Sequence, residues 1–144
     1  MRHGALALST QPLVLLVHDA ARPFASLGLV EACAKAARKG ACAVAAVPVK
    51  DSIKQLRKGR VSSLKREELW TAQTPQALPV RAYMKAAQRA YAKGQAFTDE
   101  AGLAEQAKVK VVLVPSDYSN FKVTTPEDLA LARQALSGRK KGGR

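Results

Sequence analysis

The sequence is poor in acids, aromatic rings and cysteines. Only 11 aspartates and glutamates stand against 24 lysines and arginines over 144 residues, a formal net charge of +13. Such a surface attracts polyanions. Aromatic residues make up 5% of the chain, which leaves few rings for bases to stack on, and no DNA- or RNA-binding motif accompanies the charge. A basic nucleic-acid-binding module is therefore the weaker reading. The two cysteines, Cys33 and Cys42, form no CxxC pair. They are expected as buried or half-buried free thiols, not as a disulfide or a metal site. No apolar run reaches the length of a membrane span. Gln11 and Pro12 interrupt the apolar residues that follow Arg2 and His3, so no signal peptide is read and a cytoplasmic protein is expected. There is no internal repeat.

What is present suits one domain with a single core: 47% hydrophobic and 24% charged residues. Leu13 to Val17 reads as a buried strand. Leu27 to Lys39 reads as a helix, with Leu27, Val30, Ala34 and Ala37 at helical spacing, Ser26 to cap it and Gly40 to stop it. Ala43 to Val49 is a second apolar run of strand length. Strand, helix, strand predicts a parallel βαβ unit with a right-handed crossover. From Lys50 to Arg66 seven basic residues meet one acid, Asp51, with Lys58-Gly59 as a turn centre. This predicts a basic two-stranded arm over about 51–70. A lone ribbon is marginal in water, so the arm calls for a partner surface and hence a dimer. Pro79 to Lys93 reads as a helix ended by Gly94. Asp99 and Glu100 suit the first turn of another helix, and Val109 to Val114 reads as a third strand. "TTPEDLALARQAL" opens a helix with Thr125 as N-cap, Pro126 at N1 and Asp128 at N3, running to about Ala135 and on into a basic tail.

In open α/β sheets ligands bind beyond the carboxyl ends of the strands. Polar clusters fall at such ends or in loops within reach of them: "HDAARP" at 18–23, "KDS" at 50–52, "TDE" at 98–100 and "SDYSNFKVT" at 116–124, with "KREELWTAQTP" closing the arm. Asp19 at a strand end suits Mg²⁺, which takes oxygen ligands and keeps waters. Ala20 and Ala21 let a ligand approach the backbone, and Arg22 can fork onto phosphate oxygens. A plain Asp19–Arg22 ion pair explains the same residues equally well. Lys122 precedes a helix N-terminus of its own sign, which makes sense if an anion lies between them. His18 reads as a strand-end hydrogen-bonding residue, and Trp70 as an arm or core anchor.

Together these segments resemble the 2-C-methyl-D-erythritol 4-phosphate cytidylyltransferase family. "VHDAARPF", "VPVKDSIK", "REELWTAQTPQ", "FTDEA" and "NFKVTTPEDLALA" stand in that family's order and approximate spacing, from about Arg2 to Leu136. The resemblance implies a Rossmann-like three-layer nucleotide-diphospho-sugar transferase α/β fold with a protruding β-arm. It implies transfer of CMP from CTP to methylerythritol phosphate, assisted by Mg²⁺, in a homodimer joined through the arm. It assigns catalytic positioning to Arg66 and Lys122, and substrate contacts to Asp19, Arg22, Ser52, Thr74 and Thr98. Ala20 falls near the nucleotide and Asp19 beside the metal. Ser52 stands where threonine is common, and Leu78 where an aromatic is usual. The family's glycine-rich, basic CTP loop has no counterpart here. The expectation is thus an N-terminally truncated fold: a partial cytidylyltransferase domain over 1–136 and a basic tail over 137–144, inactive by itself. The nearest rival is a ribitol-5-phosphate cytidylyltransferase. An inactive scaffold dimerising through the arm is a third reading.

Overall fold

The structure is a computed structural model that describes residues 12–95, 97 and 99–141. Thr98, one of the expected substrate contacts, lies outside the described residues.

Among the described residues six strands and four α-helices follow in chain order: β1 (Val14–Val17), α1 (Leu27–Arg38), β2 (Cys42–Pro48), β3 (Lys54–Arg57), β4 (Arg60–Ser63), β5 (Trp70–Pro79), α2 (Val80–Ala92), α3 (Glu100–Gln106), β6 (Val111–Pro115) and α4 (Pro126–Lys141). Four strands form the main sheet in the order β1-β5-β2-β6. The β2–β6 pair is parallel, while β5 runs antiparallel to both of its neighbours, β1 and β2. The strands β1 and β2 therefore point the same way, as the βαβ reading predicts, but β5 is inserted between them.

The sequence reading does not contain β5. Its stretch, "WTAQTPQALP", holds two prolines and two glutamines, and proline in a run argues against a central strand. The fold accommodates Pro75 where the ladder is already broken. Val44 pairs with Gln76 and Ala46 with Ala72, so Gln73, Thr74 and Pro75 together oppose Ala45 alone. On the other side β1 ends at Val17, opposite Gln76, and Pro75 lies beyond that last pair.

Alternate residues of the sheet feed two cores. Cys42, Val44 and Leu78 pack with Tyr83, Ala86 and Ala90 of α2 and with Leu103 and Ala104 of α3. Ala43, Ala45 and Ala77 point the other way, onto Leu29, Cys33 and Ala37 of α1. The alanines on that face let α1 lie close to the sheet. The result is the expected three-layer, Rossmann-like α/β arrangement. Both cysteines are buried free thiols.

Helix ends follow local chemistry. Ser26 accepts from the Leu29 amide at the start of α1. At α3 the cap is Asp99, whose carboxylate accepts from the Gly102 amide. At α4 the Thr125 hydroxyl accepts from the Asp128 amide, and Asp128 Oδ2 accepts from the Thr124 and Thr125 amides, a reciprocal box. That helix does not stop near Ala135 but runs to Lys141.

The basic arm is present. β3 and β4 pair from Lys54↔Ser63 to Arg57↔Arg60. Their turn takes positive φ at both Lys58 (50°) and Gly59 (76°), the requirement of a tight two-residue hairpin turn. All eight strand residues are exposed. Among the described residues no helix is long and apolar enough to cross a membrane.

Candidate anion-binding site at the strand ends

β1, β2 and β6 point the same way, so their carboxyl ends and the loops that follow share one edge of the sheet. His18 and Asp19 leave β1 there, and the loop 116–124 leaves β6. Antiparallel β5 begins at the same edge and presents its irregular Gln73–Pro75 segment to both loops.

Asp19 is the centre. Its Oδ2 lies 3.0 Å from Lys122 Nζ and 3.5 Å from Arg22 Nε. The Lys122 hydrogen bond, aided by the Lys122 and Arg22 charges, outweighs partial burial and holds the Asp19 carboxyl below its ordinary value. The Asp19 amide donates to Thr74 Oγ1 at 2.9 Å, and the Arg22 amide closes a turn on the Asp19 carbonyl at 2.9 Å. His18 ties these parts together: Nε2 lies 2.9 Å from the Arg22 carbonyl and Nδ1 2.9 Å from Thr74 Oγ1. A carbonyl only accepts, so Nε2 bears the hydrogen, and in the neutral ring Nδ1 accepts from the threonine hydroxyl.

The loop bearing Lys122 is fastened by Asn120, which is 2% exposed. Asn120 Nδ2 donates to Gln73 Oε1 at 3.0 Å and to the Thr74 carbonyl at 2.9 Å. Its own carbonyl accepts from Arg22 Nη1 at 2.8 Å. The Val123 amide donates to the Ala21 carbonyl at 2.8 Å, and the Phe24 and Phe121 rings meet at 5.3 Å. Gln76, also buried, donates to Asp99 Oδ2 and accepts from the Ala101 amide, which moors α3 to β5. Glu100 is buried beside this contact, and burial raises its carboxyl, with the Asp99 and Asp19 charges adding to the shift.

Asp19, Arg22, Thr74 and Lys122 thus meet, with Ala20 exposed in the turn between the first two. The ion pair between Asp19 and Arg22 is real, and Lys122 joins it. Within the chain itself Asp19 takes the Lys122 ammonium and Asp128 caps α4. Arg66 is not part of this cluster. It sits at the base of the arm, donating to the Lys50 carbonyl at 3.0 Å and pairing with Glu67 at 3.4 Å. Ser52 is exposed in the loop between β2 and β3. The sequence reading misses Asn120, Gln73 and Gln76. Their signal was available: "QTPQ" puts an amide on each side of a Thr-Pro pair, and Asn120 lies two residues before Lys122.

A Rossmann-like α/β domain with cations gathered at the carboxyl ends of its parallel strands is the frame of a protein that handles nucleotides or phosphate esters. Residues 2–138 match the profile of the 2-C-methyl-D-erythritol 4-phosphate cytidylyltransferase family, IspD, and the chain belongs to that family. It is 42% identical over 128 residues to the 2-C-methyl-D-erythritol 4-phosphate cytidylyltransferase of Bacillus licheniformis, covering 88% of this chain and 55% of the relative. It is 43% identical over 139 residues to the enzyme of that name from Pelotomaculum thermopropionicum, covering 95% of this chain and 58% of the relative. The crystal structure of the Thermus thermophilus cytidylyltransferase superposes with a TM-score of 0.84 at 33% identity, over 94% of this chain and 67% of that one. The chain thus spans little more than half the length of these curated relatives.

Proposed function

We propose that this chain serves the transfer of CMP from CTP to 2-C-methyl-D-erythritol 4-phosphate, giving CDP-methylerythritol and pyrophosphate in non-mevalonate isoprenoid synthesis. The observation that supports it is the Lys122–Asp19–Arg22 cluster, two cations sharing one acid at the strand ends. Two anionic reactants repel each other, and fixed cations are what align them for attack. Lys122 and Arg22 hold the alcohol phosphate. Asp19 restrains the long Lys122 side chain before substrate arrives, so little rotamer freedom is left to lose on binding. Thr74 Oγ1, held by His18 and the Asp19 amide, offers its remaining lone pair to a substrate hydroxyl. Ser52 and Thr98 are further substrate contacts, and Ala20 lies against the nucleotide.

Arg66 and Ser52 reach the reacting phosphate from a second copy, which makes the protein a homodimer through the arm. Two observations support this: both residues sit outside the Asp19 cluster, and the arm exposes Leu56 and Val61 by 71% and 66%. Among the described residues no three His, Cys, Asp or Glu side chains form a metal cage. Both ion pairs of Asp19 use Oδ2, so Oδ1 would be the oxygen available to hold a Mg²⁺. When bound, that ion supplies neutralisation of phosphate charge. The setting is the cytoplasm.

Calorimetric titration of the chain with methylerythritol phosphate and with ribitol 5-phosphate tests the reading. Methylerythritol phosphate should bind the more tightly, and Lys122→Met should weaken it by about tenfold or more, the worth of a charge-assisted hydrogen bond. Failure of both phosphates to bind at millimolar concentration refutes it.

A further inference from the structure

The same edge of the sheet holds a cation that the reading above does not use. A cavity of about 400 Å³ lies between the loop after β2 and the loop after β6, and its walls include Arg22, Lys50, Asp51, Tyr118, Phe121 and Lys122. Three of these are cations and one is an acid.

Lys50 is held there by a ring. Its Nζ lies 3.4 Å from the centroid of Tyr118. The Tyr118 hydroxyl donates to the Pro48 carbonyl at 2.7 Å, which pins the ring to the end of β2. Among the described residues no carboxylate lies within ion-pair distance of the Lys50 ammonium. The negative face of the ring covers one side of the ammonium and neutralises none of its charge. An ammonium has three N–H donors, and a ring face engages only the side turned toward it. The Lys50 carbonyl meanwhile accepts from Arg66, so its backbone is fixed as well. A surface lysine ordinarily sweeps through solvent and loses rotamer freedom when immobilised. Here much of that loss precedes any ligand, and the restrained charge stands in the wall shared with Arg22 and Lys122.

We propose that Lys50, seated on Tyr118, is a third anion-binding residue of this pocket and takes oxygens of the phosphate monoester held by Arg22 and Lys122. Tyr118 is the positioning residue that acts through it. This rests on the reading of the pocket as the alcohol-phosphate site, and the test separates the two claims. Calorimetric titrations with 2-C-methyl-D-erythritol 4-phosphate at fixed ionic strength compare the wild type with Lys50→Met, Lys50→Arg, Tyr118→Leu and Lys122→Met. Lys50→Met keeps the side-chain length and the backbone acceptor for Arg66 but loses the charge. It should weaken binding about tenfold with an unchanged melting temperature. Lys50→Arg keeps the charge and stacks equally well on a ring, and should stay within about threefold. Tyr118→Leu should weaken binding with Lys50 intact. If Lys50→Met or Tyr118→Leu binds as the wild type does while Lys122→Met has lost affinity, the proposal falls and the pocket reading survives. If the wild type binds no phosphate ester, both fall.

Discussion

Asn120→Ala is the sharpest perturbation of this site, because Asn120 touches both loops and the bulged strand. The side-chain amide makes two short bonds, 3.0 Å to Gln73 Oε1 and 2.9 Å to the Thr74 carbonyl. Asn120 is 2% exposed, Gln73 is buried and Thr74 is half-buried. Each buried acceptor left without a donor costs about 1–3 kcal/mol. Two of them set the loss at about 3 kcal/mol, which for a domain of this size lowers the melting temperature by roughly 8–10 °C. Urea unfolding followed through Trp70, the only tryptophan in the sequence, measures the first quantity. A second readout distinguishes a strut from a generic core residue. The Lys122 hydrogen bond is the largest cause holding the Asp19 carboxyl low. If Asn120 fixes the loop that bears Lys122, the mutant's Asp19 carboxyl should move up toward the ordinary value of about 3.9 when titrated by NMR. A stability loss below about 1 kcal/mol, or an Asp19 titration identical to the wild type's, refutes the role assigned to Asn120.

Other outcomes follow from the same geometry. The Asp19 carboxyl is depressed in the folded state, so its contribution is complete above the ordinary carboxylate value and is lost as pH falls through the depressed one. Acid unfolding curves should therefore show Asp19→Asn losing part of the pH dependence below about pH 4 and matching the wild-type slope between neutrality and pH 5. Leu78 is fully buried between β5 and α2, and Leu78→Ala should cost about 2–5 kcal/mol in urea unfolding without changing the order of affinities among phosphate esters. Burial pushes the Cys33 thiol up to about 11 and the Cys42 thiol up to about 12. At pH 8 an aromatic disulfide reagent should leave both unmodified in the native protein and titrate both in urea; rapid native labelling would contradict their placement.

The parts of the fold legible in the sequence are those where one local rule acts alone. Ser26, Gly40, Thr125 and Asp128 mark helix ends because capping is decided within four residues. Lys58-Gly59 marks the arm turn because positive φ is required at both positions. Strand β5 was hidden because its evidence is not local. Its prolines and glutamines read as loop chemistry, and only the insertion between β1 and β2 makes a strand of them. The site divides in the same way. Asp19, Arg22 and Lys122 stand out as charges at strand ends. Arg66 stands out only by resemblance, and within one chain it is engaged at the arm base. Asn120, Gln73 and Gln76 carry no charge, and their importance lies in being buried with partners remote in sequence.

These hidden residues explain why the polar cluster can be held rigidly at the edge of an apolar sheet. A regular central strand would use all its backbone groups in ladders and offer nothing to the loops. β5 gives up its register at Gln73–Pro75, opposite Ala45, and the freed Thr74 carbonyl and hydroxyl become the attachment points for Asn120, His18 and the Asp19 amide. Gln73 extends one such attachment to the β6 loop and Gln76 extends another to α3. The charged groups then need little support of their own. Arg22 leans on the Asn120 carbonyl, and Lys122 leans on Asp19. A proline that looks hostile to the sheet thus sits at the break in pairing on which the whole cation cluster is hung.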